Sequence, residues 1–241
     1  MFARLGKGLK DILYPPTCIA CRKRLPEDNA DAPVCRQCYS AIKKNLPPFC
    51  YRCGRQLDIR RSVKNLCAEC IRKTLHFDRA LSPCKYEGVM KELIHAFKYR
   101  GKDYLGKDLG ELMVDFIKEY GFDMKPIDLI MPIPLYRSKI REREFNQAQV
   151  LGDFVAKAFN KESICDGLIR HRQTRPQAEL QGQARMQNIK GCFSLTSADL
   201  VKERNILLID DVLTTGATAS EAAAVLKKAG AHTIFVMTLA N

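Results

Sequence analysis

The chain is 241 residues long, with 40 Lys and Arg against 27 Asp and Glu for a net charge of +13. A hydrophobic share of 46% and a charged share of 28% exclude wholesale disorder and a collagen-like repeat. No apolar run nears the roughly 18 residues of a membrane-crossing helix, so no membrane span is expected. The N-terminus interleaves charged with apolar positions and lacks the continuous core of a signal peptide. The expected location is cytoplasmic.

Charge and cysteine are both unevenly placed. Residues 1–85 hold 18 Lys/Arg and 7 Asp/Glu, whereas residues 86–241 hold 22 and 20. Nine of the 11 cysteines also precede residue 86. Two units follow from this: a basic, Cys-rich front over residues 1–80 and a near-neutral rear over residues 81–241.

The front opens with Phe2, Leu5, Leu9, Ile12 and Leu13 at helical spacing, and Pro15-Pro16 stops the pattern. This reads as a short amphipathic helix docked on its own protein; a membrane-surface role would favour a longer stretch. Four Cys-x-x-Cys knuckles come next: Cys18 and Cys21, Cys35 and Cys38, Cys50 and Cys53, Cys67 and Cys70. Each knuckle lets two thiolates hold one metal, and two knuckles complete the tetrahedral Cys₄ shell of a structural zinc site. The repeat from Cys18 to Cys50 and from Cys35 to Cys67 predicts a double zinc ribbon with sequential pairing. Disulfides would need an oxidising compartment, redox dithiols usually come singly, and iron–sulfur proteins favour other spacings. The loops are short and Pro-rich, so metal is expected to supply the folding energy, about 10–16 kcal/mol per site. Cys84, Cys165 and Cys192 stand apart and are expected to be small buried hydrophobes.

Even with two zinc ions on eight thiolates, the front unit stays basic. Arg22, Lys23, Arg24, Lys43, Lys44, Arg52, Arg55, Arg60, Arg61, Arg72 and Lys73 decorate it, with Tyr39, Phe49 and Tyr51 among them. Such a surface suits the backbone and stacked bases of single-stranded DNA. It equally suits a small module whose cations offset thiolate charge and solvate its face.

In the rear unit, residues 89–99, 104–120, 145–159 and 215–229 read as helices. Residues 128–133, 205–209 and 233–239 read as strands. Alternating strands and helices predict an α/β fold with a parallel sheet, whose ligands sit outside the carboxyl ends of the strands. One such end is rich in chemistry. Ile206, Leu207, Leu208 and Ile209 deliver Asp210 and Asp211 to the mouth of the sheet. Adjacent carboxylates repel, so they need hydroxyl donors or a cation. Thr214, Thr215, Gly216, Ala217 and Thr218 then form a turn that opens a helix, offering hydroxyls and free amides to an anion. Acids for a sugar diol beside a phosphate socket describe a ribose 5-phosphate site. A strand capped by an Asp accounts for one acid and one Thr, but not for the full set.

Through these positions the chain resembles the type I phosphoribosyltransferases. The resemblance implies that Asp210 and Asp211 hold the ribose 2′- and 3′-hydroxyls of phosphoribosyl pyrophosphate (PRPP), bound with Mg²⁺. It implies that Thr214 to Thr218 hold the 5-phosphate, and that a pyrophosphate loop includes Leu135, Tyr136, Arg137 and Lys139. A closing lid is also implied, matching the polar, basic stretch from Arg170 to Arg185.

The order of motifs narrows the resemblance. Two ribbons precede Leu93 to Gly101, then come Pro132-Ile-Pro-Leu, Arg141 to Gln147, Thr174-Arg-Pro-Gln with Arg185 and Asn188, and the PRPP motif. Over nearly the whole chain this is similar to the ComF family, linked in naturally competent bacteria with DNA uptake. Two positions depart from that family's pattern. Tyr136 stands where His is common, and Glu144 stands where Gly commonly precedes Phe-Asn-Gln. The resemblance implies a PRPP-binding competence protein that handles single-stranded DNA, with proteins of the uptake machinery as partners. The alternative is an active transferase that passes ribosyl 5-phosphate to a nitrogen acceptor, its pyrophosphate leaving group stabilised by Mg²⁺ and basic residues. A sensor that binds PRPP without turnover is the third reading.

Overall fold

The computed structural model describes residues 15–99, 101–173 and 188–241. The expected N-terminal helix and the lid stretch from residue 174 onward lie outside them. In the front unit, α1 (Arg36–Ser40) and α2 (Ala68–Ile71) each start on a knuckle cysteine, Cys35 and Cys67.

The rear unit is built on five parallel strands in the order β1-β7-β6-β2-β3. These are β1 (Arg79–Leu81), β2 (Leu129–Pro132), β3 (Glu162–Ser163), β6 (Ile206–Val212) and β7 (Ile234–Ala240). Parallel neighbours need crossovers, and these are α3 (Gly88–Tyr99), α4 (Leu105–Glu119), α5 (Arg137–Arg143), α6 (Gln147–Phe159) and α7 (Ala217–Lys228). A separate antiparallel pair, β4 (Leu168–Arg170) with β5 (Phe193–Leu195), stands between β3 and β6 in sequence. The expected helices and strands are found with ends shifted by a few residues. The 3-residue β1, the 2-residue β3, α5 and the β4–β5 pair carried too few apolar positions to show a period.

β6 is central, and its apolar run is buried because both faces of the sheet are covered. Leu207 and Ile209 join the cluster of α3, α4 and α6; Ile206 and Leu208 join the cluster of α7 and β5 on the other face. This alternation carries on into the acids at the strand's end. No helix among the described residues is long and apolar enough to cross a membrane.

The ribbons do not have cores of their own, and their buried side chains join the clusters of the rear unit. Cys18, Ile19, Leu25 and Val34 pack into the cluster of α3 and α4. Cys50, Cys53, Leu57 and Cys70 pack into the cluster of α7 and the opposite sheet face. Part of the ribbons' apolar surface is in this way turned towards the sheet's helices, while Leu46, Ile59, Val63 and Ile71 stay exposed. The second ribbon also protects the sheet edge: the Ala80 N–H on β1 donates to the Arg52 carbonyl at 2.8 Å. Gly54, at φ +71°, makes this approach possible, since a Cβ there would collide with the Ala80 carbonyl.

Shared clusters make the ribbons' metal sites part of whole-chain stability. The native chain is expected to carry two zinc ions, and Cys35→Ser should lower the melting of the entire chain, on the order of 10 °C. Scanning calorimetry with metal analysis checks this. An unchanged main transition, with only a minor early one added, would show that the first ribbon melts alone.

Candidate functional site

The eight knuckle cysteines meet in two groups, Cys18, Cys21, Cys35, Cys38 and Cys50, Cys53, Cys67, Cys70, each with all its sulfurs within 4.8 Å of one another. This is the sequential pairing expected. Cys21 and Cys35 Sγ are 3.9 Å apart, and Cys53 and Cys67 Sγ are 3.7 Å apart. Those separations fit a tetrahedron with metal–sulfur bonds of about 2.3 Å. Backbone N–H groups support the sulfurs, Cys21 N–H donating to Cys18 Sγ at 3.5 Å and Cys67 N–H to Cys50 Sγ at 3.4 Å. Without a cation, four sulfurs this close cannot all ionise. Hydrogen bonds from Cys53 and Cys70 hold the Cys50 thiol far below its ordinary range, while Cys53 is pushed up to about 12. The donor set, spacing and charge fit Zn²⁺. Of the three isolated cysteines, Cys84 and Cys192 are buried as expected; Cys165, on the loop after β3, is exposed.

At the carboxyl end of β6, strand alternation sends Asp210 and Asp211 to opposite faces. Asp211 is 8% exposed and faces α3, where Lys98 Nζ meets its Oδ1 at 2.7 Å. Burial pulls the Lys98 pKa down, but the Asp211 and Asp210 carboxylates outweigh it and the net shift is upward. Asp210 lies on the face of β4, β5 and α7. Burial first, and then the neighbouring Asp211 charge, raise its pKa to about 7; Lys98, the Asp211 amide and Arg170 act against that rise. The Asp211 N–H donates to Asp210 Oδ1 at 2.8 Å. Arg170, at the end of β4, lies 5.7 Å over the Phe193 ring, and burial lowers its pKa while Cys192 and Asp210 oppose that fall. Arg143, from the end of α5, is the third cation, close enough to repel both Lys98 and Arg170.

Arg143 is held in place by neighbours. It donates to Gln147 Oε1 at 3.0 Å and to the Tyr99 hydroxyl at 3.1 Å, and stacks 4.9 Å from the Tyr99 ring centroid. Gln147 is 1% exposed, and its amide reaches the Phe97 carbonyl at 3.4 Å, tying α6 to the end of α3 that carries Lys98. Asn146 caps α6 by accepting from Ala148 N–H at 3.1 Å, and donates to the Ile133 carbonyl at 3.2 Å. The Phe-Asn-Gln segment thus fixes the mouth of the sheet. Lys98, Arg143 and Arg170 lie in the segments Leu93 to Gly101, Arg141 to Gln147 and Arg170 to Arg185, but nothing in those segments marks them as site residues. Three separate elements bring them together, and no sequence period marks that convergence.

The sequence-predicted pyrophosphate positions follow β2, whose Pro132 pairs with Ile209 of β6. Leu135 and Tyr136 are half-buried, and Tyr136 occupies the residue before α5. Arg137 is exposed, and Lys139 is engaged by Glu142 at 2.6 Å. The turn after β6 has Thr214 exposed, Thr215 and Thr218 half-buried, and Gly216 and Ala217 buried. Gly216 takes φ +78°, and the Ala217 N–H donates to Thr215 Oγ1 at 3.4 Å. A separate apolar cleft of about 290 Å³ lies between the first ribbon and α3 and α4 and includes none of these residues.

A double zinc ribbon domain family matches residues 9–71. Competence protein F of Haemophilus influenzae is 29% identical over 227 residues, covering 93% of this chain and 96% of that one. Competence protein ComFC of Bacillus subtilis is 28% identical over 257 residues, covering 97% of each. Over nearly its whole length the chain is thus similar to these two competence proteins. DNA utilization protein YhgH of Escherichia coli K12 is 26% identical over 233 residues, or 95% of this chain and 98% of that one. Among solved structures, the glutamine PRPP amidotransferase of B. subtilis superposes with a TM-score of 0.35 at 18% identity, covering 62% of this chain. The chain spans only 26% of that enzyme. A hypoxanthine phosphoribosyltransferase of Staphylococcus aureus gives 0.29 at 19% identity over 57% of this chain and 62% of that one. At such scores the strand order above remains the better description of the fold.

Two outcomes follow from the site. Asp210 has a folded pKa above its unfolded value, so the stability drawn from its protonated form is lost as pH rises from about 4 through 7. Asp210→Asn should therefore melt a few degrees above the native chain at pH 8, with the gain shrinking at pH 6. Thermal melts at the two values check this, and a gain that ignores pH would contradict it. Glu144 caps α5 in the left-handed region, at φ +69°, where a side chain costs about 1 kcal/mol. Glu144→Gly should raise the melting temperature by roughly 2–4 °C, and a fall would show that the Glu144 side chain matters more than its backbone.

Proposed function

We propose that this chain is a ComF-type protein that binds PRPP with Mg²⁺ at the carboxyl end of β6 and serves, in the cytoplasm, in the handling of incoming single-stranded DNA. The observation that carries the reading is the acid pair at the mouth of a parallel sheet, beside a Thr-rich helix-opening turn and facing three cations. In this reading Asp210 and Asp211 accept from the ribose hydroxyls, and the amides and hydroxyls from Thr214 to Thr218 hold the 5-phosphate. Mg²⁺ would neutralise pyrophosphate charge. Lys98, Arg143 and Arg170 draw in the ligand's phosphates, with Leu135, Tyr136, Arg137 and Lys139 bordering the pyrophosphate.

The DNA part of the reading rests on the ribbons. Tyr39 and Tyr51 are 55% and 61% exposed, as a stacking role requires. Phe49 drops out, because its ring packs against Phe116 and Tyr120 at 5.6 and 5.1 Å. The cations are also fewer than the count implied: Arg55 and Lys73 both pair with Glu69, and Lys43 pairs with Glu87. Arg22, Lys23, Arg24, Arg60 and Arg72 stay exposed.

Calorimetry tests the ligand. Asp210→Asn combined with Asp211→Asn should abolish PRPP binding in a folded chain, and unchanged affinity would refute the assignment. Filter binding tests the DNA. The native chain should bind single strands with a log–log salt slope near −3.5, at about −0.7 per phosphate for five contacts. Absence of binding at 50 mM salt would leave the ribbons without a DNA role. Release of pyrophosphate from PRPP on adding an acceptor base would instead favour the transferase reading.

A further inference from the structure

The two Cys₄ sites are alike in ligands but not in surroundings. The first packs on α3 and α4, away from the acids' carboxyl-end turn. The second backs directly onto that turn. A narrow crevice is bordered on one side by Cys53, Cys70 and Lys73 and on the other by Leu213, Thr214 and Gly216. Between them run Leu75 and Phe77, 6% and 0% exposed. A Cβ on Gly216 would meet Leu75 at 3.4 Å and Phe77 at 3.6 Å, ordinary contact distances, so these two side chains lie within a methyl group's breadth of the turn.

The same short segment is pinned at both ends. Arg52, inside the Cys50–Cys53 knuckle, donates to the Leu75 and Phe77 carbonyls at 2.9 Å each. The His76 N–H donates to Ser220 Oγ at 3.1 Å, and the Ser220 N–H donates to the Gly216 carbonyl at 2.8 Å. Zinc ligand, strap and turn thus form one continuous run of contacts. A thiolate knuckle that loses its metal loses the geometry that sets Arg52, and with it the register of Leu75 and Phe77 under Gly216.

We propose that the second zinc ribbon is the back wall of the phosphate turn, with Leu75 and Phe77 as positioning residues. Zinc at Cys50, Cys53, Cys67 and Cys70 and a phosphate ester at Thr214 to Thr218 therefore stabilise each other, whereas the first zinc is uncoupled. This rests on the reading of that turn as the 5-phosphate site. Linkage makes the effect reciprocal, so the ligand must retard loss of one zinc and not the other.

The test is zinc release from the full chain to a chromogenic chelator, with and without PRPP and Mg²⁺, beside calorimetry of PRPP binding. Cys67→Ser identifies the second site's release phase by abolishing it. PRPP should slow that phase about fivefold or more and leave the other unchanged. Phe77→Ala should keep both zinc ions but lose the difference, and Phe77→Leu should restore most of it. PRPP binding that leaves both phases unchanged, or slows both alike, overturns the proposal while the ligand reading stands. Absence of PRPP binding to the two-zinc chain overturns both.

Discussion

Two adjacent carboxylates at the end of a buried strand repel one another, and burial sharpens the repulsion by excluding water. β6 places Asp210 and Asp211 in that position, and much of the surrounding structure answers it. Alternation parts the side chains to opposite faces of the sheet. Lys98 closes on Asp211 at 2.7 Å, while Arg170 comes to the Asp210 side from a different element. Arg143 stands between them, locked by Gln147 and Tyr99. The offset is incomplete, since Asp210 still titrates near 7. A ligand that brings its own cation and hydroxyl donors relieves what remains, and so binds with a gain that the free protein has already set up.

The zinc ribbons belong to this arrangement rather than hanging beside it. Each is too poor in apolar residues to fold unaided, and each turns its few buried side chains onto a helix layer of the sheet. The first braces α3, whose last turn carries Lys98. The second covers β1 and supports Gly216 from behind. Metal binding energy is in this way carried into the rear unit, and it is the second ribbon that carries it to the phosphate turn.

Much of this was legible in the sequence because the signals were local. Knuckle spacing identified both Cys₄ groups with their pairing, and four apolar residues before Asp210 marked a buried central strand. The Gly to Glu departure at residue 144 acquired its meaning only from the left-handed backbone there. What escaped was non-local. Lys98, Arg143 and Arg170 come from three elements, and only the folded chain shows that they share one field. The packing of the ribbons on the sheet's helices was equally hidden, because composition counts apolar residues but not where they point. Phe49 failed as a stacking residue for that same reason.

The central claim is that the acid pair reads a sugar diol next to a phosphate, and the ligand's 2-hydroxyl gives the most direct measure of it. Ribose 5-phosphate and 2-deoxyribose 5-phosphate should be titrated calorimetrically into the two-zinc chain with Mg²⁺. Hydrogen bonds to charged groups are worth about 1.5–3 kcal/mol, so the deoxy sugar should bind roughly tenfold to a hundredfold more weakly. Equal affinities would mean that Asp210 and Asp211 do not hold the diol.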